Sequence, residues 1–263
     1  QIKQGGYNVQ QSNTYIITFS VILTVILGLL LSGTSQVLGP MQKEAIALDN
    51  KKQILGALIS GDEIAAMNPK EVNDYYENRV SSIVVDINGK EVTEQDGVPV
   101  TAETVDVAKN YKKPAEQRLF PVYIYHAEGN PDDVANYVLP LYGAGLWNAI
   151  WGYIALDTDM NTVGGITLAH AGETPGLGAR ITDWEVQSRY VGKEIYDESG
   201  KLVSVEMQKG EGIDYSNSPH KVDGMSGATI TGKGVNNMLY NYLNYYQAYI
   251  ESKKSSTAVA ELQ

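Results

Sequence analysis

The segment Asp223-Gly-Met-Ser-Gly-Ala-Thr-Ile-Thr-Gly-Lys-Gly234 is rich in glycine and hydroxyl residues, and an apolar-periodic segment, Val235–Ser252, follows it directly. The periodicity predicts a helix, so Ser226, Thr229 and Thr231 lie where a loop turns into a helix N-terminus. Unpaired backbone N–H groups and the positive end of the helix dipole stabilise an anion such as phosphate there. The sequence therefore predicts an anion-binding loop.

This loop is close to a nucleotide-binding motif but departs from it. Gly227-Ala-Thr-Ile-Thr-Gly-Lys-Gly234 has glycine where the P-loop needs the Ser or Thr that binds Mg²⁺. We expect no strand to lead into the loop, because Asn217-Ser-Pro-His-Lys-Val222 precedes it. Both features argue against nucleotide hydrolysis. No G-x-G-x-x-G or G-x-S-x-G motif occurs and nothing marks a Ser-His-Asp triad, so we assign no catalytic residue.

The composition excludes several kinds of partner and cofactor. The 263 residues carry a net charge of −11 with no basic patch, so nucleic acid is not expected as a partner. The absence of cysteine excludes Fe–S ligation, thiolate zinc and disulfides within the chain. The three histidines, His126, His170 and His220, have no metal-binding spacing, so no metal site is expected.

The N-terminal region has the composition of a membrane span. Residues 15–31 carry no charge, and the uncharged region extends to about Leu38; a spanning helix needs roughly 20 apolar residues. The alternative is a cleaved signal peptide, but no A-x-A cleavage site is evident and Lys3 lies far from the apolar run. We therefore expect one retained transmembrane helix in contact with lipid. Since the chain begins with Gln1 rather than Met, we expect part of the native N-terminus to be missing.

The sequence favours an α+β domain behind this span. The expected helices are Gln42–Ile59, Gly61–Asn78, Thr101–Lys109, Ile181–Tyr190 and Val235–Ser252. The expected strands are Ser82–Ile87, Arg118–His126, Ala135–Leu141, Ile150–Leu156, Val163–Ala169 and Lys201–Met207, with a tight turn at Asn88-Gly89. Met238, Tyr242, Tyr245 and Tyr249 share one helix face, which we interpret as core packing. The predicted division is 1–38 (tail and transmembrane helix), 39–80 (helical connecting segment), 81–255 (globular domain) and 256–263 (flexible tail).

Two more glycine-rich stretches admit two interpretations each. Glu173-Thr-Pro-Gly-Leu-Gly-Ala-Arg180 is either a tight loop, with Pro175 and Gly176 setting the turn, or part of a binding site. Tyr142-Gly-Ala-Gly-Leu-Trp-Asn-Ala-Ile-Trp151 is either a bend between strands with Trp147 and Trp151 in the core, or a surface that a planar ligand approaches.

Three stretches together resemble the NqrC family, which belongs to the sodium-translocating NADH:quinone oxidoreductase. They are Gly-Ala-Gly-Leu-Trp (143–147), Gly-Glu-Thr-Pro-Gly-Leu-Gly (172–178) and Asp-Gly-Met-Ser-Gly-Ala-Thr (223–229), the last similar to the flavinylation signature D-x-x-[ST]-G-A-T. The 81–255 region would then be an FMN-binding domain. The RnfG component of the Rnf ferredoxin:NAD complex shares the flavinylation motif. The Gly-Leu-Trp stretch and the long 42–80 segment favour the NqrC family.

The resemblance implies a covalent FMN, its phosphate esterified to Thr229 by a separate flavin transferase that uses FAD and Mg²⁺. Thr231 is the competing acceptor, which the motif alignment disfavours. The resemblance implies that the transferase recognises Asp223 and that the small residues of the motif let the loop enter the active site of the transferase. It also implies that residues of the other two stretches contact the flavin. The motif residues implied beside Asp223 are Ser226, Gly227 and Ala228. The flavin contacts implied are Glu173, Thr174, Leu177, Leu146 and Trp147, and these five are equally compatible with plain packing.

The resemblance also implies an electron-carrying part of a membrane sodium pump, whose partners are the other proteins of the complex. The alternatives are the RnfG component and a membrane-anchored structural or assembly protein without flavin. Family members hold the FMN domain on the periplasmic side of the inner membrane. The lysines point weakly the other way, since one (Lys3) precedes the span and three (Lys43, Lys51 and Lys52) follow it. We follow the resemblance.

Overall fold

The computed structural model describes residues 12–130 and 133–260, without the side chains of 256–260. The helices are α1 Asn13–Gly56, α2 Gly61–Ala66, α3 Pro69–Arg79, α4 Val107–Tyr111, α5 Trp184–Gln187, α6 Thr229–Tyr245 and α7 Gln247–Ala260. The strands are β1 Val80–Val85, β2 Glu94–Gln95, β3 Val98–Pro99, β4 Phe120–His126, β5 Val134–Ala144, β6 Ala149–Asp157, β7 Val163–His170, β8 Glu206–Met207 and β9 Lys221–Val222. Short 3₁₀ turns lie at 102–104, 115–117, 178–182 and 188–190.

The chain divides into two units, residues 1–49 and 50–263. The first consists, where it is described, of most of α1, which is long and apolar enough to cross a membrane. Its most apolar 18-residue window has a mean hydropathy of 2.5 and is not buried at all. This confirms the apolar N-terminal helix and is compatible with a single-pass membrane anchor. The predicted division at 38/39, 80/81 and 255/256 stays a prediction, and residues 261–263 of the predicted tail lie outside the described residues.

Helix α1 runs without interruption through Pro40. Residues 42–56 are helical as predicted, but they continue α1 instead of forming a separate helix, and the helix ends at Gly56 rather than at Ile59. A proline inside a helix removes one backbone hydrogen bond, and a long helix can absorb that loss. The second predicted helix, Gly61–Asn78, is split into two, because Asn68 accepts from Glu71 N–H and starts α3 with Pro69 in the next position.

The second unit is built on a five-stranded antiparallel sheet in the order β1-β4-β5-β6-β7. Helices cover both of its faces. On one face, Tyr246 of the α6–α7 junction donates to Pro121 O at 2.6 Å. On the other, Tyr75 of α3 and Tyr125 of β4 share a hydrogen bond of 2.7 Å, and Thr167 of β7 donates to Gln53 O at 2.9 Å. All five strands of this sheet match the predicted ones within three residues at each end.

Helix α6 begins at Thr229 rather than at Val235. The glycines that suggested a longer loop serve close packing instead: a Cβ on Gly234 would lie 2.5 Å from Ala144 O, and one on Gly232 would lie 3.1 Å from Met207 Sδ. The predicted core stripe is confirmed, since Met238, Tyr242 and Tyr249 are buried and Tyr245 is partly buried against the core. The helix predicted to reach Ser252 is interrupted at Tyr246, where α6 gives way to α7.

Three other expectations are corrected. A strand does lead into the 223–234 loop, because β9 ends at Val222 and pairs in parallel with β8. The predicted strand Lys201–Met207 is limited to β8, since Ser204 has a φ of 63° that breaks the extended backbone. The predicted helices 101–109 and 181–190 are each a series of short helical turns. Such short elements have no sustained apolar periodicity, so tertiary packing decides them.

Candidate functional site

The three glycine-rich stretches meet at one carboxylate. Glu173 accepts hydrogen bonds from Trp147 N–H at 3.0 Å and from the Thr231 hydroxyl at 2.6 Å. A Cβ on Gly145 would overlap Glu173 Oε1, and a Cβ on Gly178 would lie 2.7 Å from Glu173 Oε2. Glu173 thus joins the 143–147, 172–178 and 223–234 stretches, and glycines at the contact points leave room for it.

Glu173 is almost fully buried, with 4% of its surface exposed. Burial by itself raises the pKa of a carboxyl group, but the hydrogen bonds from the Thr231 hydroxyl and from Trp147 N–H, with the nearby backbone N–H groups of Asn148 and Leu146, outweigh it and lower the pKa of Glu173. The group is therefore an ionised carboxylate held by donors. The structure places Glu173 beneath the loops as an anchor; the flavin contact expected for it stays a prediction.

The second stretch forms the predicted tight turn. Leu177 N–H donates to Thr174 O at 3.1 Å, and Gly176 between them has a φ of 73°. Pro175 followed by a residue with positive φ is the pattern of a type II turn. The turn projects Leu177 outward, where it is 41% exposed. A Cβ on Gly227 would lie 2.8 Å from Leu177 Cδ2, so this side chain borders the 223–234 loop.

The first stretch is a bend between β5 and β6, closed by a hydrogen bond from Gly145 N–H to Asn148 O of 2.8 Å. Its tryptophan does not lie in the core: Trp147 is 70% exposed, and its indole N–H donates to the Thr174 hydroxyl at 3.1 Å. Trp151 is half-buried. Leu146, Trp147 and Leu177 form a group of exposed apolar side chains at the convergence of the loops, which we call the apolar platform.

Thr229 is the first residue of α6. The preceding turn has Gly227 at a φ of 74° and a hydrogen bond from Ala228 N–H to Met225 O of 3.2 Å. The N-cap, Ala228, has no side chain that could accept from the helix N–H groups. The first helical bond runs from Gly232 N–H to Ala228 O, so the N–H groups of the first turn have no helical acceptor. An external anion can accept them.

The two candidate acceptor hydroxyls have different environments. Thr231 is 1% exposed and donates to Glu173. Thr229 is half-buried, and its hydroxyl forms no hydrogen bond with any other described residue. Thr229 also borders a cavity of about 190 Å³, whose lining includes Met207 and two basic side chains, Lys209 and Lys233. Of the two threonines, only Thr229 is partly exposed and has a hydroxyl without a hydrogen-bond partner in the described chain.

Asp223 is held by its own chain. Its carboxylate accepts from Gly212 N–H at 2.7 Å and from Ile213 N–H at 3.2 Å, and it lies 3.7 Å from Arg189 Nη1. Recognition of Asp223 by a transferase therefore stays a prediction, beside this structural role. Ser226 is exposed and is held through its backbone N–H, which donates to Glu211 at 3.0 Å.

Glu211 and Arg189, two charged residues beside the loop, lie outside every stretch that the sequence singled out, and Arg180, which ends the second stretch, was given no role of its own. The only local signal was the pair of glycines flanking Glu211, Gly210 and Gly212, which both have positive φ. Within residues 12–130 and 133–260, no three His, Asp or Glu side chains cluster as metal ligands would.

The fold and site define a class of flavin-binding protein. Residues 145–244 match the family model of the FMN-binding domain. The matched segment contains residues 145–147 of the first stretch and the whole of the 172–178 and 223–234 stretches.

Comparison with individual proteins narrows the class to one family. The chain is 31% identical to NqrC of the Na⁺-translocating NADH-quinone reductase of Pseudomonas aeruginosa, covering 89% of this chain and 92% of that protein. It is 34% identical, with a TM-score of 0.66, to the crystal structure of the same reductase component from Parabacteroides distasonis, covering 81% and 96% of the two chains. The structure of Shewanella oneidensis NqrC, at 24% identity and the same TM-score, supports the fold. The chain therefore belongs to the NqrC family of the Na⁺-translocating NADH-quinone reductase, as its motifs indicated.

Proposed function

We propose that Thr229 carries FMN through a phosphoester bond and that this chain relays electrons through that flavin, as one component of a Na⁺-translocating NADH:quinone reductase. The observation that carries the proposal is the contrast between Thr229 and Thr231. Thr229, at the start of α6, is partly exposed and its hydroxyl has no hydrogen-bond partner among the described residues, whereas Thr231 is buried and its hydroxyl donates to Glu173. Membership of the NqrC family and the match to the FMN-binding domain support the flavin itself.

The residues around Thr229 fit the two ends of FMN. The N–H groups of the first turn of α6, which its N-cap leaves open, suit a phosphate. Esterification turns a phosphate monoester of about −2 charge into a diester of −1, and Lys209 and Lys233 in the neighbouring cavity favour that remaining charge. The apolar platform suits a planar aromatic ring, because exposed tryptophan and leucine side chains gain from being covered.

Attachment would be carried out by a separate flavin transferase with FAD and Mg²⁺. The hydroxyl oxygen of Thr229 forms a bond to the phosphorus on the FMN side of FAD, and the pyrophosphate P–O bond breaks. AMP leaves with the electron pair of that bond, and a base of the transferase takes up the hydroxyl proton. The turn at Met225–Ala228 presents Thr229 at the end of a loop of small residues, as entry into another enzyme's active site requires.

Bound FMN supplies one-electron redox chemistry. The chain's own residues hold and shield it: the first turn of α6 would bind the phosphate, the apolar platform would orient the ring, and Glu173 would keep the three loops in register. No residue of this chain needs to act as a general acid or base. The partners are the other proteins of the complex. Helix α1 would anchor the chain in the lipid of the inner membrane, with the FMN domain on the periplasmic side.

The test is flavin attachment in cells that express a flavin transferase. We expect the wild type to give a fluorescent band in a denaturing gel and a mass increased by one FMN less water, and Thr229→Ser, which keeps a hydroxyl, to retain at least part of the label. Thr229→Ala should show neither the band nor the added mass, and peptide mapping of residues 221–233 should place that mass on Thr229 of the wild type. A fluorescent Thr229→Ala band would contradict the proposed attachment site.

A further inference from the structure

The backbone of the acceptor loop is held by a side chain that lies outside all three motifs. Glu211 Oε2 accepts a hydrogen bond from Ser226 N–H at 3.0 Å. The same carboxylate receives two hydrogen bonds from Arg180, from Nη2 at 2.6 Å and from Nη1 at 3.0 Å. A two-point arginine–carboxylate pair fixes the carboxylate in position and orientation. Glu211 therefore fixes the position of the Ser226 amide.

Arg189 holds the beginning of the same loop. Its Nη1 donates to Asp223 O at 3.2 Å and to Gly224 O at 2.6 Å, and its Nη2 lies 3.6 Å from Glu211 Oε1. Gly224 is pressed against the neighbouring segment so closely that a Cβ there would overlap Gln208 O. The backbone is thus held on both sides of Met225, and the turn that leads into Thr229 starts from a fixed point.

Around Ser226 this arrangement holds main-chain atoms and does not engage the side chains of Ser226 and Thr229. Ser226 is exposed, and neither its hydroxyl nor that of Thr229 forms a hydrogen bond with another described residue. Each of the two carboxylates beside the loop has an arginine partner, since Glu211 pairs with Arg180 and Arg189, and Asp223 lies 3.7 Å from Arg189. The same arginines also pair with the more exposed carboxylates of Asp183 and Glu185. Unpaired carboxylates beside the acceptor would repel an approaching phosphate; these two are neutralised.

We propose that Glu211 is a positioning residue for the acceptor loop: acting through the Ser226 amide, and neutralised by Arg180 and Arg189, it holds Thr229 in the geometry that accepts the flavin phosphate. The proposal rests on the proposed function for the identity of the group transferred. The hydrogen bonds from Arg180 and from Ser226 N–H also lower the pKa of Glu211 to about 2, so the carboxylate stays ionised at every physiological pH.

The experiment compares Glu211→Ala, Glu211→Gln and Glu185→Gln in the full chain in detergent. Glu185 is the matched control, because its carboxylate also pairs with Arg189, at 3.4 Å, but is 78% exposed and does not contact the loop. Two quantities are measured: the hydrogen-exchange rate of the amides in residues 223–229 of the flavin-free protein, and the kcat and KM of FMN transfer from FAD by a purified flavin transferase.

We expect Glu211→Ala to raise the exchange rate of the Ser226 amide about tenfold or more, the change that loss of a hydrogen bond to a charged acceptor produces. It should lower kcat for transfer by a similar factor with a smaller change in KM. Glu211→Gln keeps an oxygen that can accept from Ser226, so it should recover part of both effects. Glu185→Gln should match the wild type.

Exchange and transfer in Glu211→Ala within about twofold of the control would overturn the proposal. So would a Glu211→Gln variant as impaired as Glu211→Ala, since partial rescue is what a positioning role requires. If Glu211→Ala does not fold, Glu211→Gln against the control decides by the same criteria. If hydrogen exchange responds as expected but the wild type accepts no FMN, Glu211 does hold the loop and it is the proposed function that fails. Failure of the positioning role and failure of the proposed function are therefore distinguishable.

Discussion

The hydroxyl of Thr231 donates a hydrogen bond of 2.6 Å to the buried carboxylate of Glu173, across 58 residues of chain. The contact fixes the first turn of α6 against the loop that carries Leu177. Because of this contact, two threonines on one helical turn have different roles. Thr231 maintains the structure, and Thr229, with no such partner among the described residues, remains available for chemistry.

Valine substitutions at the two threonines should have opposite effects. Thr231→Val leaves one oxygen of a buried carboxylate without its donor, which costs about 1–3 kcal/mol, but flavin should still attach. Thr229→Val removes a hydroxyl without a partner and should change stability by only about 0.5 kcal/mol, while attachment is lost. Urea unfolding and fluorescence in a denaturing gel measure the two effects. If Thr231→Val lost the flavin while Thr229→Val still carried it, Thr231 rather than Thr229 would be the acceptor.

The junction of the three loops should not tolerate a methyl group at Gly178. A Cβ there would overlap the Thr231 hydroxyl and lie 2.7 Å from Glu173 Oε2. We expect Gly178→Ala to cost about 1–3 kcal/mol, as overpacking does, seen as a lower midpoint of thermal unfolding. Gly172→Ala is the matched control, because a Cβ at Gly172 would have an ordinary contact of 3.9 Å with Asn148. Equal midpoints for both variants would show that the junction is not closely packed.

Much of the fold could be predicted because its strands follow their local pattern. The central sheet strands have continuous apolar or β-branched runs, and the sequence located them within a few residues. The start of α6 could not be predicted, because Gly232 and Gly234 have a low helix propensity and only their tertiary neighbours explain them. The continuity of α1 could not be predicted either, because Pro40 has a low helix propensity and the polarity changes after it, and both features suggested that a helix ends there.

The site could be predicted only where a motif marks it. The turn at Pro175–Gly176 follows from local sequence. Thr229 is marked by the flavinylation motif, and its role as acceptor stays a prediction. The exposure of Trp147 does not, because an apolar residue in a bend between strands is compatible with either the core or the surface. Glu211 is also beyond local reasoning. Its contact with Ser226 spans 15 residues and its partners, Arg180 and Arg189, come from a third segment.

Acid should remove the contribution of Glu211 to stability. Hydrogen bonds from Arg180 and from Ser226 N–H lower the pKa of Glu211 from 4.5 to about 2. A lowered folded-state pKa means that the contribution is complete above pH 4.5 and is lost as the pH falls toward 2. The free energy of unfolding of wild type should therefore exceed that of Glu211→Gln by a constant amount above pH 5, and this difference should shrink progressively as the pH falls from 4.5 to about 2. Curves that stay parallel down to pH 2 would contradict this, and Glu185→Gln serves as the control.

The apolar part of α1 should decide membrane association. We expect the full chain to resist extraction with alkaline carbonate, and a chain without residues 1–38 to be soluble. Leu27→Lys places a charge in the middle of the predicted span, where it costs about 2.5–3.5 kcal/mol, and should weaken membrane retention. Ile46→Lys adds the same charge at a position that is also exposed, at 60%, but lies beyond the span, and should not. Equal extraction of both variants would contradict an anchor confined to residues 15–38.

The apolar platform should affect the flavin more than the fold. Because Trp147 is 70% exposed, Trp147→Ala should change the free energy of unfolding by about 1 kcal/mol or less. If the flavin ring lies on the platform, removing the indole admits water beside it and favours the reduced, more negatively charged flavin, so the reduction potential should rise. Leu177→Ala should act in the same direction. The control is Trp184→Ala, which removes a tryptophan of similar exposure, 60%, from outside the three stretches. Potentials of the flavin-loaded proteins, measured by spectroelectrochemical titration, test this; unchanged values in Trp147→Ala and Leu177→Ala would mean that the ring lies elsewhere.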